Sequence, residues 1–275
     1  VYAVENSLVS ELPKRSDAKT EVEKKAPAKK LDSKKDEEQR ETLRKLVEEK
    51  KKELNGTSWD VEIKSQTGKG VFAEITNEII NDNAPTGYRT ADTWYAGVSS
   101  IQDFIDQCFV YAHAADPNAL LFYNDYNIET SYFPKNAFML NMAQGMVNRN
   151  IPINGVGLQS HFVSGPDMNS YVYDGVLTTI NSLNTMGLKC NISELDLRIC
   201  NGTTLQKQGA EYKKFTEMLL QSTSCNTILL WGFTDKYSWI PSFFPGCGQA
   251  LIFDNYYAPK LAYFNILNVL KGDTS

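Results

Sequence analysis

Two different rhythms of apolar and polar residues divide the chain. From Lys69 onward, short apolar runs recur: VFAEIT (71–76), ALLFYN (119–124), GVGLQ (155–159), LKCNISEL (188–195) and TILLWGF (227–233). Their length and their Val, Ile, Leu and Phe content predict buried strands. The stretches between them, IQDFIDQCFVYAHAA, PKNAFMLNMAQGMVNR, YVYDGVLTTINSLNTMG and LQKQGAEYKKFTEMLLQS, carry apolar residues at helical spacing. A further helix is predicted over PKLAYFNILNVLKG, with Pro259 placed to open it and Gly272 to stop it. Strands alternating with amphipathic helices predict a parallel sheet covered by helices.

Upstream the rhythm is lost. Residues 1–54 hold 15 of the 28 Lys/Arg, 13 of the 33 Asp/Glu and a single aromatic, Tyr2. Residues 1–31 are too polar to offset the entropy of ordering, which predicts disorder. From Ser33, the text SKKDEEQRETLRKLVEEKKKELNG reads as a helix, with Ser33 and Asp36 at its start and Gly56 as its stop. Leu43, Leu46, Val47 and Leu54 give it only a thin apolar stripe, which suits a solvated helix or, alternatively, a coiled-coil or docking helix. The organisation expected is a charged, disordered-then-helical segment over 1–56 and a folded region over 57–275. The net charge of −5 makes the chain a poor nucleic-acid binder, and no apolar run reaches the roughly 20 residues of a membrane span. The start VYAVENS has neither the basic n-region nor the apolar core of a signal peptide, which suits a processed form, a fragment or an intracellular protein.

Chemistry-bearing residues gather where the predicted strands end. The first strand runs into Asn77 and Glu78, the second into Asn124, Asp125, Tyr126 and Asn127, and the third into Gln159, Ser160 and His161. The fourth carries Glu194 and Asp196, and the fifth leads to Trp231, Asp235 and Trp239. In a (β/α)8 barrel this C-terminal face is where the active site forms. A doubly wound open sheet also binds at its strand C-termini, but no Gly-rich phosphate loop follows the first strand. The (β/α)8 barrel is therefore the fold class expected. Glu194 and Asp196, two apart on a strand, point to one side. Glu78 and Glu194 come from strands three units apart, which face one another across a barrel mouth. Two such carboxylates suit glycoside hydrolysis, one protonating the departing oxygen and the other acting at the anomeric carbon. Asn77 could bond the adjacent sugar hydroxyl, and Tyr126, Trp231 and Trp239 offer flat faces for pyranose rings.

These residues stand in a familiar setting. The stretch 71–275 resembles glycoside hydrolase family 10, the retaining endo-β-1,4-xylanases. EITNE is similar to that family's acid/base strand, although a Trp-Asp pair usual there reads Ala73-Glu74 here. FYNDYNIE, GVGLQSHF, ISELDLR, LLWGFTDKYSWIP and ALIFDNYYAPKLAY resemble later family segments in the same order. The resemblance implies Glu78 as acid/base and Glu194 as nucleophile, with His161 and Asp196 supporting Glu194 and Gln159 lining the same subsite. It implies Asn77, Tyr126, Asn127, Trp231 and Trp239 as substrate-binding or supporting residues. It further implies xylan as the partner, no cofactor or metal, no nucleic-acid or membrane partner, a monomer, and a secreted protein with disulfides.

The family has three more βα units before the acid/base strand, bearing residues that hold the glycone sugar. Their motifs are not recognisable in residues 1–68, where SWDVEIKS (58–65) could form one replacement strand. The barrel expected is thus incomplete, with strands four to eight legible. Two readings follow beside the active enzyme: a catalytically impaired or xylan-binding remnant, and an interaction protein working through its charged helix. Of the five cysteines, Cys190 with Cys225 and Cys200 with Cys247 both fit as pairs, and Cys108 is expected as a buried thiol. His113 is expected on a helix surface.

Overall fold

The computed structural model describes residues 72–83, 87–90, 99–165, 168–200 and 202–272. The charged segment 1–56, its expected helix, the boundary after residue 56 and the replacement strand 58–65 all lie outside the described residues.

Among the described residues, six parallel strands and five main helices alternate. Strand β1 (Phe72–Asn77) is followed by α1 (Ile101–Ala115), β2 (Leu120–Asp125) and α2 (Lys135–Asn148). Next come β3 (Gly155–Leu158), β4 (His161–Val163), α3 (Ser170–Thr185) and β5 (Lys189–Arg198). The described chain finishes with α4 (Leu205–Leu220), β6 (Cys225–Leu230), a short helix α5 (Ile240–Phe243) and α6 (Leu261–Leu270). Polar caps fix where the helices begin. Ser100, Asn169 and Thr204 each accept a backbone N–H from three residues on, at the starts of α1, α3 and α4. Gly272 follows the end of α6 with φ +78°, a backbone region that favours glycine.

Strand order is β1-β2-β3-β5-β6, every pairing parallel, with β4 beside the far half of β5. Cys190 through Leu197 are buried without a break, as a parallel strand covered on both faces requires. One continuous core joins the sheet to α1–α4 and α6, with Phe109, Tyr123, Met139, Phe162, Tyr212 and Phe215 among its fully buried side chains.

Two strand limits differ from the pattern-based expectation, each for a physical reason. The strand predicted over 188–195 continues to Arg198, because His161, Phe162 and Val163 of β4 prolong its ladder opposite Asp196, Leu197 and Arg198. The strand predicted over 227–233 stops at Leu230, because Gly232 turns out of the sheet at φ +103°. Between Ile192 and Leu195 the β5 register also slips against β6. Against the β3–β4 line, Leu158 pairs Ile192 whereas His161 pairs Asp196, so three residues of β5 oppose two. Such bulges re-aim side chains, and this one carries Ser193 and Glu194.

Close packing makes Gly155 a test of the sheet. A Cβ there would lie 2.4 Å from Phe122 Cε1 and 2.7 Å from the Lys189 carbonyl oxygen. The carbonyl belongs to a paired strand and cannot give way. Gly155→Ala should cost about 1–3 kcal/mol of stability, read as a lowered urea or thermal midpoint of the full chain. An unchanged midpoint would show that β3 can move away from β5.

Candidate active site

Strand ends bring seven of the sequence-identified residues together. Asn77 ends β1, and Glu78 follows in a left-handed conformation at φ 54°. The Glu78 N–H donates to the Asn124 carbonyl at 2.9 Å, after which Ile79 and Ile80 turn into the core. Gln159 and His161 flank Ser160 at the break between β3 and β4, and Glu194 and Asp196 lie on β5. Trp239 reaches the same place from the loop after β6.

Asn124 sits at the centre and is fully buried. Its amide nitrogen donates to Asn77 Oδ1 at 2.9 Å and to Glu194 Oε1 at 2.8 Å, while its oxygen accepts from Ser193 Oγ at 2.5 Å. Gln159 Nε2 donates to Asn77 Oδ1 at 3.2 Å and to Glu78 Oε1 at 3.0 Å. A continuous path of hydrogen bonds therefore runs from Glu78 through Gln159, Asn77 and Asn124 to Glu194. Gly157 makes room for it, since a Cβ there would fall 2.5 Å from Asn124 Oδ1.

On its other side Glu194 meets His161. His161 Nε2 lies 3.3 Å from Glu194 Oε2, and Nδ1 lies 3.0 Å from Asp196 Oδ2. His161 and Asp196 are register partners on adjacent strands, so their side chains leave the sheet on one side. Burial disfavours charge on the imidazole, but hydrogen bonds to Asp196 and Glu194 outweigh it and push its pKa up to about 9. At neutral pH the ring is an imidazolium that donates from both nitrogens. Trp239 Nε1 donates to the same Asp196 oxygen at 2.8 Å, and its ring meets His161 edge-on at 5.1 Å between centroids. Phe243 and Phe244 pack against the indole, and the Cys200–Cys247 disulfide ties this loop to the end of β5.

The remaining expected residues lie elsewhere on the rim. Tyr126 is bound to the loop that follows Glu78: its hydroxyl donates to Asp82 at 2.6 Å and accepts from Arg89 at 2.8 Å. Lys135 Nζ stands 3.7 Å from the Tyr126 ring centroid, covering one of its two faces. Lys135 is itself buried between Asp82 and Asp125. Asn127 is exposed with φ 55°. Trp231 is half-exposed, and its backbone N–H donates to the Leu195 carbonyl beside Glu194. Asp235 is paired with Lys260 at 2.8 Å and accepts the Leu251 N–H, outside the carboxylate cluster.

Several participants were not singled out by pattern. Asn124, Asp125 and Glu129 lie in FYNDYNIE and Ser193 in ISELDLR, but none of them was given a role there, and Lys135 lies outside the quoted segments. Glu74 is an exposed residue, yet its carboxyl pKa is raised, first by local desolvation and then by the Glu194 charge. Residue exposure averages over the whole side chain, whereas the shift reports the carboxyl end, which lies within electrostatic reach of Glu194. Cys190 and Cys225 are free buried thiols with Sγ atoms 2.9 Å apart. Cys108 is half-buried rather than buried. His113 is exposed. Among the described residues no group of His, Cys, Asp and Glu has the arrangement of a metal site, and no helix is long and apolar enough to cross a membrane.

Comparison with known proteins shows the family and the fold. Residues 29–269 match the sequence profile of glycosyl hydrolase family 10, so the match begins well upstream of the stretch whose motifs are readable by eye. Endo-1,4-beta-xylanase B of Thermotoga neapolitana is 35% identical over 208 residues, covering 74% of this chain and 57% of that protein. Endo-1,4-beta-xylanase D of Talaromyces funiculosus is 35% identical over 206 residues, covering 72% of this chain and 47% of the relative. The chain thus spans about half the length of these curated relatives. The crystal structure of native xylanase 10B from Thermotoga maritima superposes with a TM-score of 0.65 at 35% identity, over 72% of this chain and 59% of the other. Xylanase 10B of Thermotoga petrophila, solved with xylobiose, gives 0.65 at 34% identity, over 73% and 60%. These neighbours are (β/α)8 barrels, and the described residues of this chain form a partial barrel of that class.

The raised His161 pKa has a signed consequence for stability. A group whose pKa rises on folding contributes stability that is fully present below its unfolded value, about 6.5 for histidine, and is lost as pH climbs through the folded value. The thermal midpoint of the full chain should therefore fall between pH 6.5 and about 9 by more than that of His161→Gln. The His161 ring resonances should titrate near pH 9. A His161 midpoint at or below 6.5 would mean that the two carboxylates do not hold the ring.

Proposed function

Because the chain belongs to glycosyl hydrolase family 10, we propose that it hydrolyses the β-1,4 linkages of xylan with retention of configuration, through a covalent glycosyl-enzyme. The observation that carries this reading is the hydrogen-bonded path joining Glu78 to Glu194, with His161 and Asp196 behind the second carboxylate.

In the first step Glu194 attacks the anomeric carbon while Glu78 gives its proton to the departing glycosidic oxygen. The sugar–oxygen bond breaks, a glycosyl ester forms on Glu194, and the shortened chain leaves with the proton. In the second step Glu78 takes a proton from water, whose oxygen attacks the same carbon and releases Glu194. His161 keeps Glu194 oriented before attack, and it receives the carboxylate again when the ester is cleaved. Asn77, held by Asn124 and Gln159, offers an amide nitrogen to the sugar hydroxyl beside the reacting carbon. Trp231, half-exposed next to β5, supplies a stacking face. Tyr126 and Asn127 belong to the rim on the Glu78 side, where one Tyr126 face carries Lys135. The xylobiose in the Thermotoga petrophila structure supports a xylo-oligosaccharide as ligand. Extracellular action suits a polymeric substrate and the Cys200–Cys247 disulfide.

A second reading has its own support. Ala73-Glu74 stands where a Trp-Asp pair is usual beside the acid/base, which favours a catalytically impaired protein that binds xylan without cleaving it.

Both are decided with the full chain. Release of reducing sugar from xylan is expected, and NMR of the first products should show the β-anomer ahead of mutarotation. Glu78→Ala should lower kcat by about 10²–10⁴, and Glu194→Ala should abolish turnover. Early α-anomer would exclude retention. Retention of the chain on insoluble xylan without sugar release would establish the impaired reading instead.

A further inference from the structure

The loop leaving β2 carries a carboxylate that the reaction does not use. Glu129 is 1% exposed. Its Oε1 accepts the Ser160 backbone N–H at 2.7 Å, and its Oε2 has no hydrogen-bond partner among the described residues. A buried carboxylate with one oxygen unsatisfied is costly to keep, so the bond that it does make should matter.

Ser160 occupies a critical place in the chain. It is fully buried, lies in the left-handed region at φ 65°, and separates β3 from β4. A side chain in that conformation is strained, so the kink persists only if surrounding contacts impose it. The hydroxyl donates to the Leu158 carbonyl at 3.2 Å. The neighbours on either side are fixed to the rest of the site. Gln159 N–H donates to the Asp125 carbonyl at 3.1 Å, and the Gln159 carbonyl accepts from Glu194 N–H at 3.1 Å. Gln159 then reaches Glu78, and His161 reaches Glu194. A rotation of the backbone at Ser160 would swing these two side chains away from the two carboxylates together.

We propose that Glu129 is a positioning residue for the hydrolysis: by accepting the Ser160 N–H it holds the Gln159–Ser160–His161 kink that sets both carboxylates of the site. The inference rests on the glycosidase reading above and deepens it. The charged groups facing Glu129 are His161 and Asp125, with the Cys190 thiol also within electrostatic reach. Burial pushes its carboxyl up to about 7, although the Ser160 N–H, its own backbone N–H and His161 favour the anion. In its ionised form the carboxylate makes a stronger bond to a backbone N–H than a neutral oxygen does, and its charge then also favours the imidazolium of His161.

The test compares Glu129→Ala, Glu129→Asp and Glu129→Gln in the full chain by xylan kinetics and by the ring resonances of His161. Glu129→Ala is expected to lower kcat about 10- to 100-fold, as misplacement of a catalytic group by an ångström does, with KM within twofold. The His161 titration should move down by at least half a pH unit. Glu129→Asp keeps the charge but withdraws the acceptor by one methylene, and should fall with Glu129→Ala. Glu129→Gln keeps an acceptor in place and should stay within about threefold of the parent kcat. If Glu129→Ala does not fold, the Asp and Gln variants decide alone. Parental kcat and parental His161 titration in Glu129→Asp would overturn the proposal, as would a Glu129→Gln loss as deep as that of Glu129→Asp. Absence of sugar release by the parent chain would instead overturn the glycosidase reading, and the His161 titrations would still decide the positioning role.

Discussion

A single imidazolium lies between two carboxylates that one strand points to the same side. Asp196 is fully buried and Glu194 nearly so. Two such anions that close together would repel one another and each would lose its hydration. His161 resolves both problems, donating one N–H to each. The surrounding architecture serves that arrangement. Strand β4 exists as a separate piece so that His161 pairs Asp196 in register, and the β5 bulge turns Glu194 toward both His161 and Asn124. Trp239 donates to the same Asp196 oxygen as His161, walled in by Phe243 and Phe244.

The strand ends share a second device. Glu78, Asn127 and Ser160 all take left-handed conformations, at 54°, 55° and 65°, directly after or shortly beyond β1, β2 and β3. None is glycine. Each bends the chain out of the line of its strand at one residue, which lets a side chain or amide face the mouth of the sheet rather than continue along it. Strain of this kind collects where function is built, because neighbouring contacts must impose it. For Glu78 the imposing contacts are its bond to the Asn124 carbonyl and the burial of Ile79 and Ile80; for Ser160 they include Glu129.

Most of the element pattern was readable from the sequence, since apolar period alone separates a strand such as ALLFYN from a helix such as IQDFIDQCFVYAHAA. Glu194 and Asp196 were readable as a same-side pair because strand geometry leaves no other choice. The connecting residues were not. Asn124 looks like any polar strand end, and its role depends on three partners as many as 70 positions away. Lys135 opens a helix and reads as a solvated charge, yet Asp82 and Asp125 bury it. The bulge in β5 leaves the sequence period untouched, so it appears only through the register of neighbouring strands. Left-handed residues other than glycine leave no compositional trace either.

The length of β5 bears on how the chain acquires its disulfide. Cys190 lies near one end of that strand and Cys200 just past the other, so in the folded protein about 30 Å of extended backbone separates them. A disulfide needs α-carbons within about 7 Å. Before β5 forms, however, Cys190 and Cys200 are only ten positions apart on a flexible chain and meet more readily than Cys200 and Cys247, which are 47 apart. Oxidative maturation is therefore a contest between strand formation and local thiol chemistry. If oxidant acts first, a Cys190–Cys200 bridge closes a loop in the segment that must become β5. If the strand wins, Cys190 is buried beside Cys225, and the oxidant finds Cys200 and Cys247 already facing one another.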